Sequence, residues 1–321
     1  MLATWMDELL PLLPTLISLA RTGSVSQSAR SLGVPRSTVS RRLARIEAVV
    51  GFQVAERTNH RFALTSSGRR LVDGAVDAIA RLETVHEQAR AADGEVCGLL
   101  RVAMPAGATG SFGSWFFAFL NTRHPLIEIE ITVTDRRALR LEEGFDLVLV
   151  MGPPPPSSWV RRRLSESMMV AVASPRYLKR KGTPMTIDAL HDHLLLAHAS
   201  AGETPVWPRL RGGEFPVRPH LVANDISVLR DTAVAGLGIA LVPIHIALAE
   251  LSAGALVPVL PMLIGQSVEI FALYLPERRA SPILKAVLAA IADFAKEQAH
   301  AGLRAPSTVD RGERILENSR T

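Results

Sequence analysis

The sequence of 321 residues contains a single cysteine, Cys97. One cysteine cannot form an intramolecular disulfide, so the chain is not a disulfide-stabilised secreted domain, and it fits a reducing compartment. We interpret Cys97 as a small apolar residue and not as a redox or catalytic group.

The N-terminal region has little of the pattern that directs a chain to a membrane. Residues 9–20 are apolar, but this run is short, contains Pro11 and Pro14, and follows Asp7 and Glu8 instead of basic residues. It therefore predicts neither a signal peptide nor a membrane span. We expect a cytoplasmic protein without membrane contact.

Catalytic and metal-binding motifs are missing as well. No nucleophile, base and orienting acid can be joined into a catalytic set, and no phosphate-binding lysine follows the glycine-spaced turn at residues 107–113. His191, His193 and His198 lack a cysteine or carboxylate at metal-ligand spacing, so we interpret them as surface or capping histidines. We expect no cofactor, no metal site and no enzymatic activity.

The distribution of charge is uneven. The whole chain carries a net charge of +5. Residues 21–70 contain ten arginines and two glutamates, a local charge of +8, so the remainder is slightly acidic. This segment predicts a polyanionic partner. The length predicts two or three domains, and an apolar content of 48% is ample for globular folding.

The basic segment reads as two short helices joined by a tight turn. Ser24 predicts an N-cap, and Gln27 three residues later completes a capping box, so a helix should begin at Val25. Gly33 predicts its end, and Pro35 suits the first turn of the next helix. A connection of about three residues is typical of a helix-turn-helix.

The second helix has two different faces at the helical period. Its apolar face, predicted to pack, contains Val39, Leu43 and Ile46. A solvated basic surface would explain the arginines alone, but the cap, the turn and the cationic face together favour a helix that enters a major groove. The expected DNA contacts from this helix are Arg36, Ser37, Thr38, Ser40, Arg41 and Arg45.

A hairpin wing is predicted after this helix, with strands at residues 52–54 and 62–64 and a basic tip at residues 58–61. A solvated loop without function is the alternative. The residues of the wing that we expect to meet phosphates or a minor groove are Arg57, Asn59, His60 and Arg61.

Two further helices flank this module. Residues 9–21 have amphipathic spacing, and their prolines predict a helix that begins near Pro11 or bends there. Residues 66–93 predict a long helix whose apolar seam repeats at heptad spacing. We favour dimerisation through this seam over packing within its own domain, because a symmetric dimer presents two recognition helices. The seam comprises Leu71, Ala75, Ala78, Leu82, Val85 and Ala89.

From Leu99 onward, strands and helices alternate, which predicts a largely parallel sheet covered by helices. Residues after about His300 are polar and aperiodic, which predicts a disordered tail. The predicted strands span residues 99–104, 127–133, 145–151, 168–173, 194–197, 221–223, 238–242 and 267–275, and the helices span 112–120, 226–235 and 283–295.

Motifs in order along nearly the whole chain resemble those of the LysR-type transcriptional regulators: ARTGSVSQSARSLGVPRSTVSRRLARIEAVVGFQVAERT, FALTSSG, GLLRVAMP, RHPLIEIEI, FDLVLVMG, VASPRYLKRKGTP, VANDISVL, AGLGIALVP and GALVPVLP. The resemblance implies an α/β protein with an N-terminal winged helix-turn-helix, a linker helix that pairs between protomers, and a two-lobed effector domain like periplasmic binding proteins. It implies crossovers near residues 157–163 and 261–265.

The implied domains are a winged helix-turn-helix at residues 1–65, a linker helix at 66–94 and an effector domain at 95–300, before the tail at 301–321. Lobe I comprises about 95–160 and 266–300, and lobe II about 161–265. The chain departs from the family where Pro35 and Arg36 replace the usual Ser-Gln and where Val54 and Ala55 replace Leu-Phe, so base specificity is not carried over.

The resemblance also implies a small-molecule effector between the lobes, at positions that follow strand ends. We expect a carboxylate or an aromatic acid, because helix N-termini favour anions; helix capping is the alternative role for each hydroxyl. The expected effector-binding residues are Ala106, Thr109, Ser111, Thr134, Gly152, His198, Ser200, Asn224 and Asp225.

Promoter DNA, a second copy of the chain and RNA polymerase are the other implied partners, with dimer and tetramer both open. Two other functions are alternatives. A solute-binding protein would need an export signal and would lack the arginine-rich N-terminal segment. The sequence meets neither requirement. An enzyme fused to a DNA-binding module stays open as an alternative. Turnover of the bound ligand would support it, and recovery of the ligand unchanged would support a sensor.

Overall fold

In a computed structural model, the described residues are 4–58, 61–92, 94–105, 111–134, 144–154, 156–199 and 203–300. The predicted tail at residues 301–321 lies outside them. The chain divides into two compact units. Unit 1 comprises residues 1–95, 138–146 and 275–282, and unit 2 comprises residues 96–137, 147–274 and 283–321.

Unit 1 is a helical module with one small hairpin and one long helix. The long helix predicted for residues 66–93 is confirmed as α5. The elements of unit 1 are α1 Thr4–Leu9, α2 Leu13–Thr22, α3 Val25–Ser31, α4 Arg36–Val50, β1 Ala55–Thr58, β2 Arg61–Leu64 and α5 Ser66–Ala92.

The prolines of the first helical region produce the predicted bend. Pro11 lies in a 3₁₀ turn, Leu10–Leu12, that separates α1 from α2. Pro14 lies in the first turn of α2, where its missing N–H costs no intrahelical hydrogen bond. The apolar periodicity therefore continues through a change of helix.

The helix-turn-helix is confirmed, with two corrections to its caps. The Ser24 hydroxyl accepts a hydrogen bond from the Gln27 N–H at 3.4 Å, as predicted. The N–H of Ser24, however, donates to the Thr22 hydroxyl at 3.3 Å instead of to the Gln27 side chain. Pro35 is the N-cap of α4, one residue before the first turn, because its ψ of 147° is extended.

The first strand of the wing was placed about three residues too early. Phe52 and Gln53 are exposed and precede the strand, and β1 pairs with β2 in antiparallel register from Ala55 to Leu64. The carboxylate of Glu47 on α4 accepts the N–H groups of Val54 and Ala55 at 3.0 and 3.3 Å. These side-chain bonds take up the two N–H groups, while the carbonyl of Val54 accepts the N–H of Thr65 at 3.0 Å.

Among the described residues of unit 2, nine strands form one sheet. Its strands are β3 Gly98–Met104, β4 Ile127–Val133, β5 Leu147–Met151, β6 Val160–Ala173, β7 Leu195–His198, β8 Val206–Pro208, β9 Glu214–Pro216, β10 Pro219–Ala223, β11 Ile239–Pro243, β12 Val257–Pro258 and β13 Gly265–Tyr274, of which β8 and β9 form a separate hairpin. Its helices are α6 Ser111–Arg123, α7 Pro175–Lys181, α8 Ile226–Val234, α9 Leu248–Ser252 and α10 Pro282–His300.

The sheet consists of two parallel groups joined by an antiparallel pair. Its order is β10-β7-β11-β6-β13-β5-β3-β4, with β12 beside β6. Pairing is parallel within β10-β7-β11 and within β5-β3-β4. Strands β6 and β13 run antiparallel to each other and to β11 and β5. The two groups correspond to the predicted two-lobed α/β architecture.

The crossovers are longer than predicted. They were expected near residues 157–163 and 261–265, but the groups are joined by the whole of β6 and β13, which pair from Val160 to Val170 and from Gly265 to Tyr274. Three consecutive arginines at the start of β6 concealed this strand from a pattern based on apolar runs.

The hydrophobic core of the β5-β3-β4 group lies between the sheet and the helices α6 and α10. Phe116 and Phe294 meet edge to face, with ring centroids 5.9 Å apart. The predicted inward residues of α10 are all buried: Leu284, Val287, Leu288, Ile291 and Phe294. No helix among the described residues is both long enough and apolar enough to cross a membrane.

Candidate nucleic-acid interface and ligand site

Helix α4 has one face in the core of unit 1 and one face in solvent. Val39, Leu43 and Ile46 have no exposed surface. Their burial orients the helix, because rotating it would expose all three side chains to water. On the other side, the first two turns present Arg36, Ser37 and Arg41 as exposed residues, whereas Thr38 and Ser40 are half-buried.

The turn before α4 fixes where this face begins. Gly33 has a φ of +64°, a left-handed conformation that glycine adopts at little cost. The carbonyl of Pro35 accepts the N–H groups of Thr38 and Val39 at 3.0 and 3.3 Å, which starts the helix. The exposed residues of α4 therefore begin at Arg36, directly after the turn.

Two further arginines of α4 are engaged within unit 1. Arg45 forms an ion pair with Glu8 of α1; the side chain of Arg45 is 59% exposed and that of Glu8 39%. An exposed ion pair contributes little to stability, so phosphate can compete for Arg45. Arg42 donates to the buried Thr15 hydroxyl at 3.1 Å, which assigns it to packing of α4 on α2.

The wing candidates are only partly described. Residues 57 and 61 lie on β1 and β2, where Arg57 pairs with Phe62 and Thr58 with Arg61. Nothing is described of the side chains of Arg57 and Arg61. Asn59 and His60 lie outside the described residues.

The candidate ligand residues of the β5-β3-β4 group lie at adjoining strand ends. The N–H of Thr134 donates to the carbonyl of Met104 at 2.9 Å, which places the carboxyl ends of β4 and β3 side by side. Ala106 and Thr109 lie outside the described residues, and Ser111 is described only as the first residue of α6.

The candidates of the other parallel group also converge. His198 ends β7 and pairs with Ala223 of β10, and its Nε2 lies 3.2 Å from the carbonyl oxygen of Asn224. Asp225 caps α8 by accepting the N–H of Ser227 at 2.9 Å, so its capping role is observed. Ser200 lies outside the described residues.

Gly152 contacts the middle of the β6–β13 pair. His245, which was not predicted as a site residue, contacts the same stretch. The N–H of Gly152, after β5, donates to the carbonyl of Glu269 at 2.8 Å. His245 follows β11, and its Nδ1 lies 2.8 Å from the hydroxyl of the buried Ser167. In the ladder, Ser167 pairs with Val268, the neighbour of Glu269.

The carboxyl ends of both parallel groups therefore reach the same stretch of the joining strands. This arrangement offers a hydroxyl and an imidazole beside each other, which suits a ligand with oxygen atoms. The rule that selected the other candidates would also have selected His245, since it follows the apolar run IALVP. No comparable signal marked Ser167.

The other histidines are distributed over separate contacts. His193 Nδ1 lies 3.2 Å from the Tyr177 hydroxyl, whereas His191 packs on Phe215 with a centroid separation of 5.0 Å. Burial lowers the pKa of His193 and raises the pKa of Tyr177. Among the residues that the structure describes, no three potential ligands are grouped to hold a metal ion.

Two family models match the chain. Residues 10–69 match the bacterial regulatory helix-turn-helix proteins of the lysR family, and residues 93–296 match the LysR substrate binding domain. The chain belongs to the LysR family. It is a LysR-type transcriptional regulator that binds DNA and carries an effector-binding domain.

Individual relatives agree with this assignment. The LysR-type regulator is 30% identical to the HTH-type transcriptional regulator YhjC of Escherichia coli over 82% of this chain and 89% of that protein. Its fold is similar to that of CrgA from Neisseria meningitidis, with a TM-score of 0.60, 23% identity and coverage of 88% and 98% of the two chains. It is also similar to LysG from Corynebacterium glutamicum, solved with bound effector Arg, with a TM-score of 0.60, 19% identity and coverage of 89% and 98%.

Proposed function

We propose that this LysR-type regulator reads promoter DNA with the exposed face of α4. One observation carries the proposal: Val39, Leu43 and Ile46 are fully buried, and Arg36 and Arg41 consequently face solvent in the first turns of the helix. Arginine side chains at the start of a recognition helix suit the guanine edge in the major groove. Ser37, Thr38, Ser40 and Arg45 complete the proposed contact surface.

The wing supplies contacts that do not depend on base sequence. Arg57, Asn59, His60 and Arg61 meet phosphates or the minor groove in this proposal. The position of residues 57 and 61 near the tip of the β1–β2 hairpin and the local charge of +8 in residues 21–70 support it. These contacts would determine the salt dependence of binding.

The effector is an oxygen-bearing small molecule, either a carboxylate or an aromatic acid, that binds where the strand ends converge. Thr134, Gly152, His198, Asn224 and Asp225 support this proposal by their place at carboxyl ends of parallel strands. Ala106, Thr109, Ser111 and Ser200 belong to the same proposed site. The effector is released unchanged, and the regulator acts as a sensor and not as an enzyme.

Ligand binding shifts the equilibrium between two conformations of the regulator. These conformations differ in the spacing of the two recognition helices and in the bending of the bound DNA. The regulator works in the cytoplasm as a dimer or tetramer, and RNA polymerase is its further partner. The proposed functional division is residues 1–65 for DNA binding, 66–94 for pairing and 95–300 for sensing.

Footprinting on the region upstream of the regulator's own gene tests this proposal. We expect protection of a two-fold symmetric site, and a changed footprint when the correct small acid is present. Uniform protection that no fragment or ligand alters would contradict sequence-specific regulation.

A thermal-shift screen tests the chemical class of the effector. We expect at least one small carboxylic or aromatic acid to raise the melting temperature of the full-length protein. A screen in which only neutral compounds do so would contradict the proposed class.

A further inference from the structure

Arg278 is the most unusual charged group among the described residues, because only 2% of it is exposed. It lies in the 3₁₀ segment Pro276–Ala280, between β13 and α10. An arginine cannot shed its charge in a protein, so burial requires carboxylate partners.

The partners come from two separate parts of unit 1. Nη2 of Arg278 donates to Oε1 of Glu87, on α5, at 2.7 Å. Nε lies 3.2 Å from Oδ1 of Asp146; this contact is an ion pair, since the Nε–H is not aimed at a hydrogen-bond acceptor. Glu83, one turn before Glu87, lies farther away, 3.8 Å from Nη1, and is half exposed.

The same segment is fastened to α5 at further points. The hydroxyl of Thr84 donates to the carbonyl of Glu277 at 3.1 Å, and the side-chain amide of Gln88 donates to the carbonyl of Ala280 at 3.3 Å. The hydroxyl of Ser281 donates to the second carboxylate oxygen of Glu87. Successive turns of α5 therefore hold this segment through directional bonds.

Asp146 and Arg278 lie next to two strands of the sheet along the chain. Asp146 directly precedes β5, and the Arg278 segment begins shortly after Tyr274, the last residue of β13. β5 and β13 pair with each other, Val148 opposite Leu273. At its other end, β5 leads to Gly152, which bonds Glu269 in the middle of β13, where candidate ligand residues lie.

We propose that Arg278 is a positioning residue that couples the ligand site to the linker helix. It bonds α5 to the two segments of unit 1 that lead into β5 and out of β13, so that a displacement of the β5–β13 pair changes the state of α5. This inference rests on the proposed function, because the coupling matters only if α5 carries a DNA-binding module. Coupling between sites is reciprocal, so DNA binding must also alter β5 and β13.

Hydrogen exchange of the full-length protein tests the coupling. The probe is a duplex from the region upstream of the gene. In the wild type, DNA should slow exchange in α4 and also in peptides from β5 and β13, the latter by about fivefold or more if the coupling is of typical strength. Glu87→Gln keeps the size of the side chain but removes its charge, and Arg278→Lys keeps the charge but removes the planar fork.

We expect both variants to keep the protection of α4 and to lose the response of β5 and β13. His86→Gln, at an exposed residue of the same helix, is the control and should retain both. Protection of α4 with unchanged β5 and β13 in the wild type would overturn the coupling, and so would a full response in Glu87→Gln. Absence of protection on α4 in the wild type would contradict the DNA-binding role itself, and this inference with it.

Discussion

Arg41 lies in the second turn of α4, with its side chain in solvent and the buried Val39 and Leu43 on either side of it in sequence. The backbone of α4 is held by the apolar face, so truncating Arg41 removes the proposed DNA-contacting group without disturbing the core. A substitution of Arg41 can therefore change DNA binding without changing the stability of the fold.

Arg41→Ala should weaken binding to a specific site by about 1–3 kcal/mol, the value of a bidentate contact with a guanine edge. Anisotropy titrations on specific and random duplexes measure the loss. Arg209→Ala, an exposed arginine of unit 2, is the control and should bind as the wild type does. Equal weakening on random DNA would assign Arg41 to a phosphate instead.

His193 connects a single side chain to the stability of unit 2. Burial lowers its pKa below the ordinary 6.5, Asp192 opposes this shift and Lys181 adds to it. The neutral imidazole is therefore favoured in the fold. As the pH falls through the unfolded value, the unfolded chain binds the proton first, and the free energy of unfolding decreases.

Urea denaturation at pH 7.5 and 5.5 measures this loss. We expect His193→Gln to lose less stability than the wild type on acidification, because the glutamine does not titrate. His220→Gln, at an exposed histidine, should keep the wild-type dependence. Identical pH dependence in all three proteins would show that His193 does not couple to folding.

At the scale of elements, the sequence predicted what local physical chemistry determines. The Ser24 cap, Gly33 and the burial of Val39, Leu43 and Ile46 follow from short-range patterns, and the structure confirms them. The length of β6 did not, because its exposed arginines pair with β13 about a hundred residues away. The start of β1 was wrong for a different reason: the side chain of Glu47, on the preceding helix, bonds the N–H groups of Val54 and Ala55, and an apolar pattern does not show such a bond.

The candidate site was predictable only in part. Strand ends were found from apolar runs, and this located Thr134, Gly152, His198 and Asn224. The pairing of Ser167 with His245 depends on which strands are neighbours in the sheet, and a single sequence does not contain that order.

Helix α5 contains two glycines whose replacement should have opposite effects. A Cβ at Gly68 would lie 2.0 Å from the backbone carbonyl oxygen of Val54, whereas a Cβ at Gly74 meets nothing within 4 Å. We expect Gly68→Ala to destabilise unit 1 strongly, because the backbone at Val54 or at residue 68 would have to move. Gly74→Ala should stabilise α5 by about 0.5–1 kcal/mol.

Chemical denaturation of both variants measures the two changes. Gly74→Ala serves as the matched control, since the substitution and the helix are the same. A mild effect of Gly68→Ala would mean that α5 approaches the wing less closely than described.

At the scale of the whole molecule, α5 has two apolar faces. Val72, Val76 and Ala80 form the face that is buried within unit 1. The predicted heptad seam is divided: Ala75 is buried and Leu71 half-buried, whereas Ala78, Leu82, Val85 and Ala89 are exposed. Leu82 is 66% exposed and Val85 61% exposed, which is unusual for large apolar residues on one helix face and favours a second copy as their partner.

Leu82→Glu should shift the protein from dimer to monomer, because it places a charge in an apolar seam. Sedimentation velocity measures the assembly state. Arg90→Glu introduces the same side chain on α5 outside the seam and should leave the dimer intact. Dimers that persist in Leu82→Glu would exclude this seam as the principal contact.

The central claim is that the cationic face of α4 gives the regulator a preference for particular DNA sequences. Competition between a labelled genomic fragment carrying the protected site and excess calf-thymus DNA tests it most directly. We predict that the full-length protein retains the fragment and that Arg41→Ala releases it. Equal displacement from every fragment, with or without small acids, would contradict the claim.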